Sequence, residues 1–145
     1  MGIQEISFFV AGTPRPQGSK HAFRHRSTGK IVLVESAGQA LKKWRDLIES
    51  QALLQSQIDS AVVVDLGFFF ARPKSHWGRG VDTSGSLRRG APIYPTGRPD
   101  VDKLCRAVLD SISCICGNDS RVVDLRARKH YATDSPGVQV RMGAV

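Results

Sequence analysis

The sequence predicts an α+β fold: a single domain, residues 1–145, in which a mixed β-sheet is packed by two main helices. Three observations predict it. The chain has 145 residues and 41% hydrophobic content, enough for one core and too few for two comfortable ones. Bulky, strand-like runs stand near both ends and in the middle. Two longer segments between them carry apolar residues at helical spacing.

The first strand is expected over Ile3–Val10, closed by the breaker cluster Gly12 to Gly18. A loop is expected to follow, then a short β-branched strand over Lys30–Val34. Ser36 offers an N-cap for a helix reaching about Leu54, with Leu41, Trp44, Leu47 and Ile48 lining one face and Trp44 in the core. Ala61–Phe70 is apolar apart from Asp65 and Gly67, the pattern of a central strand buried on both faces. A helix from about Asp100 to Ser113, a turn at Gly117 and Asn118, a strand over Ser120–Tyr131 and a last strand near Val138–Met142 complete the chain.

Charge narrows the function classes. Lys and Arg total 21 against 13 Asp and Glu, a formal net charge of +8, and 14 of the 21 bases are arginine. Guanidinium forks suit phosphate, so the expected partner is an anion. Between Gly12 and Val34 stand Arg15, Lys20, Arg24, Arg26 and Lys30 with no acid. From Arg72 to Pro99 the chain holds five glycines, four prolines and six bases against Asp82 alone. So long a loop is expected to bind something. No apolar run approaches the ~18 residues of a membrane span, and no secretory signal is visible. The three cysteines are odd in number and clustered, a poor disulfide or zinc framework, so reduced and mostly buried thiols are expected.

The segment from Arg98 to Ile112 carries the most chemistry. Val101, Leu104, Cys105, Val108, Leu109 and Ile112 form an apolar stripe, and Asp102, Lys103, Arg106 and Asp110 share the opposite face. Asp102–Arg106 and Arg106–Asp110 have the (i, i+4) spacing of ion pairs. Asp100 reads either as an N-cap or as a metal ligand, and Asp102 either as a first-turn carboxylate or as its partner ligand. Two acids on an otherwise phosphate-seeking surface oppose binding unless a divalent cation bridges them to phosphate, the habit of Mg²⁺ with oxygen ligands. Asp119, just past the turn, is a third acid that could return to the helix surface, or an ordinary turn residue.

Arg98-Pro99-Asp100-Val101-Asp102-Lys103-Leu104, then Asp110-Ser111-Ile112, then Asn118-Asp119-Ser120-Arg121-Val122-Val123 resembles the RusA family of Holliday junction resolvases. Weaker similarity to phage and actinobacterial members covers Pro16-Gln17-Gly18-Ser19-Lys20, Arg72-Pro73-Lys74-Ser75-His76 and Tyr94-Pro95-Thr96-Gly97. The resemblance implies a homodimer that cuts four-way and other branched DNA with Mg²⁺, or Mn²⁺ in its place, in the cytoplasm of a bacterium or phage-infected host. It implies that Asp100, Asp102 and Asp119 bind the metal. Arg106 stands where the family often has a lysine, and Asn118 where it has an acid. An arginine stabilises phosphate charge but, staying protonated, is a poor proton donor.

Metal-assisted hydrolysis of a phosphodiester would then use Asp100, Asp102 and Asp119 as ligands, with Arg106 and Lys103 clamping the phosphate. Lys20, Arg24, Arg26, Arg72, Lys74, Arg79, Arg88, Arg89 and Arg98 are the further candidates for DNA contact, each otherwise a solvated charge. Trp77 and Tyr94 could stack on unpaired bases, and His76 is expected at the surface. Two rival functions use the same residues: a branched-DNA-binding module without cleavage, and a basic RNA-binding domain in which the acids only cap and turn.

Overall fold

A computed structural model describes residues 4–18, 20–35, 38–78 and 86–145. It is α+β, with a mixed four-stranded sheet, a separate two-stranded ribbon and two helices. The strands are β1 (Glu5–Ala11), β2 (Lys20–Arg24), β3 (Ile31–Glu35), β4 (Val62–Phe70), β5 (Val122–Tyr131) and β6 (Gly137–Ala144). The helices are α1 (Gly38–Ala52) and α2 (Val101–Cys116). Sheet order is β1-β6-β4-β5, antiparallel except for the parallel pair β4 and β5. A parallel pair needs a crossover, and here it carries the basic loop and α2 together.

Alternation drives one face of this sheet inward. Ile6 and Val10 on β1, Val62, Val64, Leu66 and Phe68 on β4, and Val138, Val140 and Met142 on β6 are buried, as period-2 geometry requires. Leu41, Trp44, Ile48 and Ala52 of α1 meet them. So do Leu104, Cys105, Val108, Ile112, Ile115 and Cys116 of α2.

Several expectations need correction. The loop expected after the first strand contains β2, which pairs with β3 from Lys20 opposite Glu35 to Arg24 opposite Ile31. Its turn is closed by Gly29 at φ 68°, whose N–H donates to the His25 carbonyl at 2.8 Å. The strand Ala61–Phe70 is central but not buried on both faces: Val63 is 38% exposed, and Asp65, Gly67 and Phe69 are half-buried. Among the described residues both helices cover the same side of the sheet, and the other side is bare. Helix α2 runs one turn beyond Ser113, because Ile115 and Cys116 are core residues whose burial outweighs modest helix propensity. Gly117, at φ 80°, then stops it, and its N–H meets the Ser113 carbonyl at 2.7 Å. Finally, the apolar stripe of α2 is rotated: Val101 is 39% exposed and Leu109 half-buried, while Ala107 and Ser111 are inside. Ser111 is admitted by its hydroxyl donating to the Ala107 carbonyl at 2.8 Å.

On α1, Leu47 is 48% exposed rather than on the inner face, Ala52 takes its place there, and the helix ends at Ala52, leaving Leu54 outside it in solvent; the remaining elements fall close to expectation. Trp44 is core, and the three cysteines are free, Cys105 and Cys116 buried and Cys114 half-buried. Ser36, Ile3 and Asp82 lie outside the described residues. No helix of the described residues is long and apolar enough to cross a membrane.

Candidate active site

The exposed face of α2 forms one wall of a cleft of about 290 Å³, and the start of the next strand forms the other. Val101, Asp102, Cys105, Arg106, Leu109 and Asp110 come from α2, Asp119 from the 3-10 turn Asp119–Arg121, and Leu125 from β5. The local sequence explains this juxtaposition. Gly117 ends the helix, and Asn118 caps the short turn by accepting the Ser120 N–H at 3.0 Å. Asp119 is thereby set facing back toward α2. Asn118 thus has a turn role in the structure.

Asp102, Arg106 and Asp119 therefore line one cleft. Among the described residues, none of these three side chains makes a hydrogen bond or ion pair within the chain. The (i, i+4) pairs Asp102–Arg106 and Arg106–Asp110 expected from spacing do not form. Asp110 is instead taken from the other side: Gln17 Nε2 donates to its Oδ2 at 2.8 Å, and Arg45 of α1 stands 4.0 Å from the same oxygen.

Asp100 sits at the N-cap position with extended backbone, yet its side chain makes no capping hydrogen bond, which removes the simplest structural reason for an aspartate there. Its Oδ2 lies 3.8 Å from Lys103 Nζ, exposed to solvent and off the cleft lining. Among the described residues, no group of three or more His, Cys, Asp or Glu side chains stands close enough to hold one ion. The single chain brings Asp102 and Asp119 together and leaves Asp100 apart. Cys105 lines the same cleft while 6% exposed. Its burial, with the Asp102 charge second, pushes the thiol up to about 11, so it stays an inert neutral group at neutral pH.

The basic candidates divide in two. Arg24 and Arg26 at the β2–β3 turn, Lys74, Arg88, Arg89 and Arg98 are exposed, and Lys103 is half-buried. Lys20 begins β2, and Arg79 lies outside the described residues. Arg72 is engaged internally: it donates to the Pro92 carbonyl at 2.7 Å, stands 3.3 Å from His76 Nδ1 and lies over the Tyr131 ring at 4.3 Å. His76, expected at the surface, is buried at 8% exposure with its ring edge-on to Tyr131. The pair roots the basic loop on β5, and Lys129 adds a second tie by donating to the Gly97 carbonyl at 2.6 Å. Trp77 and Tyr94 remain exposed at 37% and 59%, consistent with surfaces free to stack.

Sequence reasoning missed Gln17, Arg45, Asp110 and Leu125 as site residues. The signals were present for two: Gln17 and Asp110 both lie inside the segments quoted above for their resemblance to a nuclease family.

A family model described as endodeoxyribonuclease RusA matches residues 11–143. A protein of Bacillus subtilis (strain 168), named only as the uncharacterized protein YqaN, is 31% identical over 149 aligned positions, covering 97% of this chain and 96% of the relative. The matched segment includes Gln17, every acid of the cleft and the whole of α2, so the chain belongs to the RusA family of endodeoxyribonucleases.

Proposed function

We propose that the chain is a Mg²⁺-dependent, structure-selective endodeoxyribonuclease that resolves Holliday junctions and related branched DNA by paired phosphodiester hydrolysis, acting as a symmetric homodimer in the cytoplasm of a bacterium or phage-infected host. The observation that carries this reading is the cleft: two carboxylates, Asp102 and Asp119, line it with a guanidinium, Arg106, and none of the three has an ion-pair partner among the described residues. Such a constellation suits a phosphate brought in with a cation.

The donor set fits Mg²⁺, which commonly takes one or two carboxylates and fills its shell with waters and substrate phosphates. Asp102 and Asp119 would hold the ion, with Asp100 at the helix entrance as the third candidate ligand. Bound Mg²⁺ supplies a polarised phosphate and a more acidic water. Arg106 meets the non-bridging phosphate oxygens and offsets the charge that develops on them. Lys103, on the same helix face, steadies the neighbouring phosphate. Leu109, Leu125 and Val101 rim the cleft with apolar surface, which raises the strength of charge interactions inside it. The exposed bases of the β2–β3 turn and of the basic loop hold the arms by their phosphates, so selectivity comes from junction shape. A twofold dimer would set two such clefts against a near-symmetric junction.

A second reading is favoured by Arg106 in place of a proton donor and by the lack of a three-acid cluster among the described residues of one chain: a module that binds branched DNA without cutting. One experiment separates the two. Asp102→Asn is expected to abolish Mg²⁺-dependent nicking of a synthetic four-way junction while junction binding persists or tightens, since a negative charge beside phosphate is gone. Wild-type protein that binds the junction but shows no divalent-dependent nicking would leave only the binding module.

A further inference from the structure

The interaction of Gln17 with α2 has a consequence for Arg106. Gln17 touches the helix twice. Its backbone N–H donates to the Lys103 carbonyl at 3.0 Å, and its side-chain Nε2 to Asp110 Oδ2 at 2.8 Å, two turns further along. The Lys103 carbonyl is an interior helix acceptor, so it uses its second lone pair. The backbone contact fixes where the side chain starts, and the buried Oε1 has no hydrogen-bond partner among the described residues. The amide's orientation is therefore set by Asp110 alone. Turned over, Oε1 would confront Oδ2 as acceptor against acceptor.

Asp110 is one of two acids a single helical turn from Arg106, the other being Asp102, and the one that Gln17 holds. It follows Arg106 by one helical turn, both line the cleft, and an aspartate and arginine at this spacing attract each other. Yet no ion pair joins them within 4.0 Å, and Gln17 and Arg45 meet the Asp110 carboxylate instead. We infer that Gln17 is a positioning residue: by holding the Asp110 carboxylate away from Arg106, it keeps that guanidinium unpaired and available to a phosphate of the DNA strand. The inference rests on Arg106 meeting phosphate, as proposed above. It also gives the loop that precedes the basic β2–β3 ribbon a direct tie to the cleft.

The test uses Gln17→Met, which keeps the side chain's length and the backbone N–H but removes the amide donor, with Gln17→Ala as a second variant should packing around Met disturb folding. The arginine Nε–H signal of Arg106 in ¹⁵N-edited NMR of the free protein, assigned with Arg106→Lys, is expected to shift and to exchange more slowly in either variant as the Arg106–Asp110 pair forms. It is expected to return to its wild-type position in Gln17→Met/Asp110→Asn, where position 110 no longer carries a carboxylate. On a four-way junction with Mg²⁺, turnover is expected to fall roughly two- to fivefold, the scale of one partly exposed ion pair. The half-saturating DNA concentration should stay nearly constant, and the double variant should recover the turnover. An Arg106 signal unmoved in a folded Gln17 variant overturns the proposal. Absence of nicking by the wild type would instead overturn the nuclease reading, and the NMR measurement would still decide the role of Gln17.

Discussion

The two faces of α2 have opposite relations to the rest of the molecule. One presents Leu104, Val108 and Ile112, each at most 1% exposed, to a core assembled from the sheet and α1. The other presents Asp102 and Arg106, without partners among the described residues, to an open cleft. A buried face is specified by volume, and any apolar residue of the right size serves it. An open charged face contributes little to stability, at most about 1 kcal/mol from Asp102 in the first turn of the helix, and among the described residues no ion pair accounts for Arg106 there. Buried Leu104 and exposed Arg106 are two residues apart, and the transition falls between them at Cys105, which belongs to both.

This contrast can be broken with salt, which acts on one face only. If the open face and the basic loops neutralise about 6–10 phosphates, junction affinity should fall by roughly 10³–10⁵ between 50 and 200 mM salt. Fluorescence anisotropy of a labelled junction reads this directly. The thermal midpoint of the free protein should change little over the same range, since exposed pairs such as Lys42–Asp46 at 2.9 Å contribute at most about 1 kcal/mol. An affinity insensitive to salt would remove the basic surface from DNA binding. The buried face responds to volume instead: Leu104→Ala should cost about 2–5 kcal/mol by urea unfolding. Because Leu104 has no surface in the cleft, the folded fraction of that variant should bind junctions as tightly as wild type.

What could be read in the sequence follows from the same division. The inward positions of β4, β6 and α2 were legible because alternation and helical spacing are local properties of Val62–Phe68, Val138–Met142 and Leu104–Ile112. The ribbon strand β2 was not, since His21-Ala22-Phe23 is too short and mixed to show a period. Nor was the bare side of β4, because an apolar run says that a strand is interior to a sheet but not how many faces have a helix to cover them. In the site, Asp102 and Asp119 were legible from residue type and from the turn between them. The Gln17–Asp110 bond joins positions 93 apart, and no local pattern encodes such a contact. It also bears on the Arg106–Asp110 pair read from the helix alone: a local preference worth a few tenths of a kcal/mol yields to a partner delivered by the fold.

Cys105 sharpens the comparison at its border. Its thiol is moved from 9.0 up to about 11, first by burial and then by the Asp102 charge. The folded value exceeds the unfolded one, so between about pH 9 and 11 the folded chain retains a proton that the unfolded chain releases. The associated stability is complete below pH 9 and is lost as pH rises toward 11. At pH 10.5 the loss should be about 2 kcal/mol. Urea unfolding at pH 8 and pH 10.5, with a chelator present, should show this decrement in wild type and a decrement smaller by that amount in Cys105→Ala. Both chains will lose stability from lysine and tyrosine titration, which cancels in the difference. Equal losses would mean that the thiol ionises as freely in the folded protein as in the unfolded one. Water would then reach past Asp102 to the core side of the cleft, and the low-dielectric wall behind Arg106 would not exist.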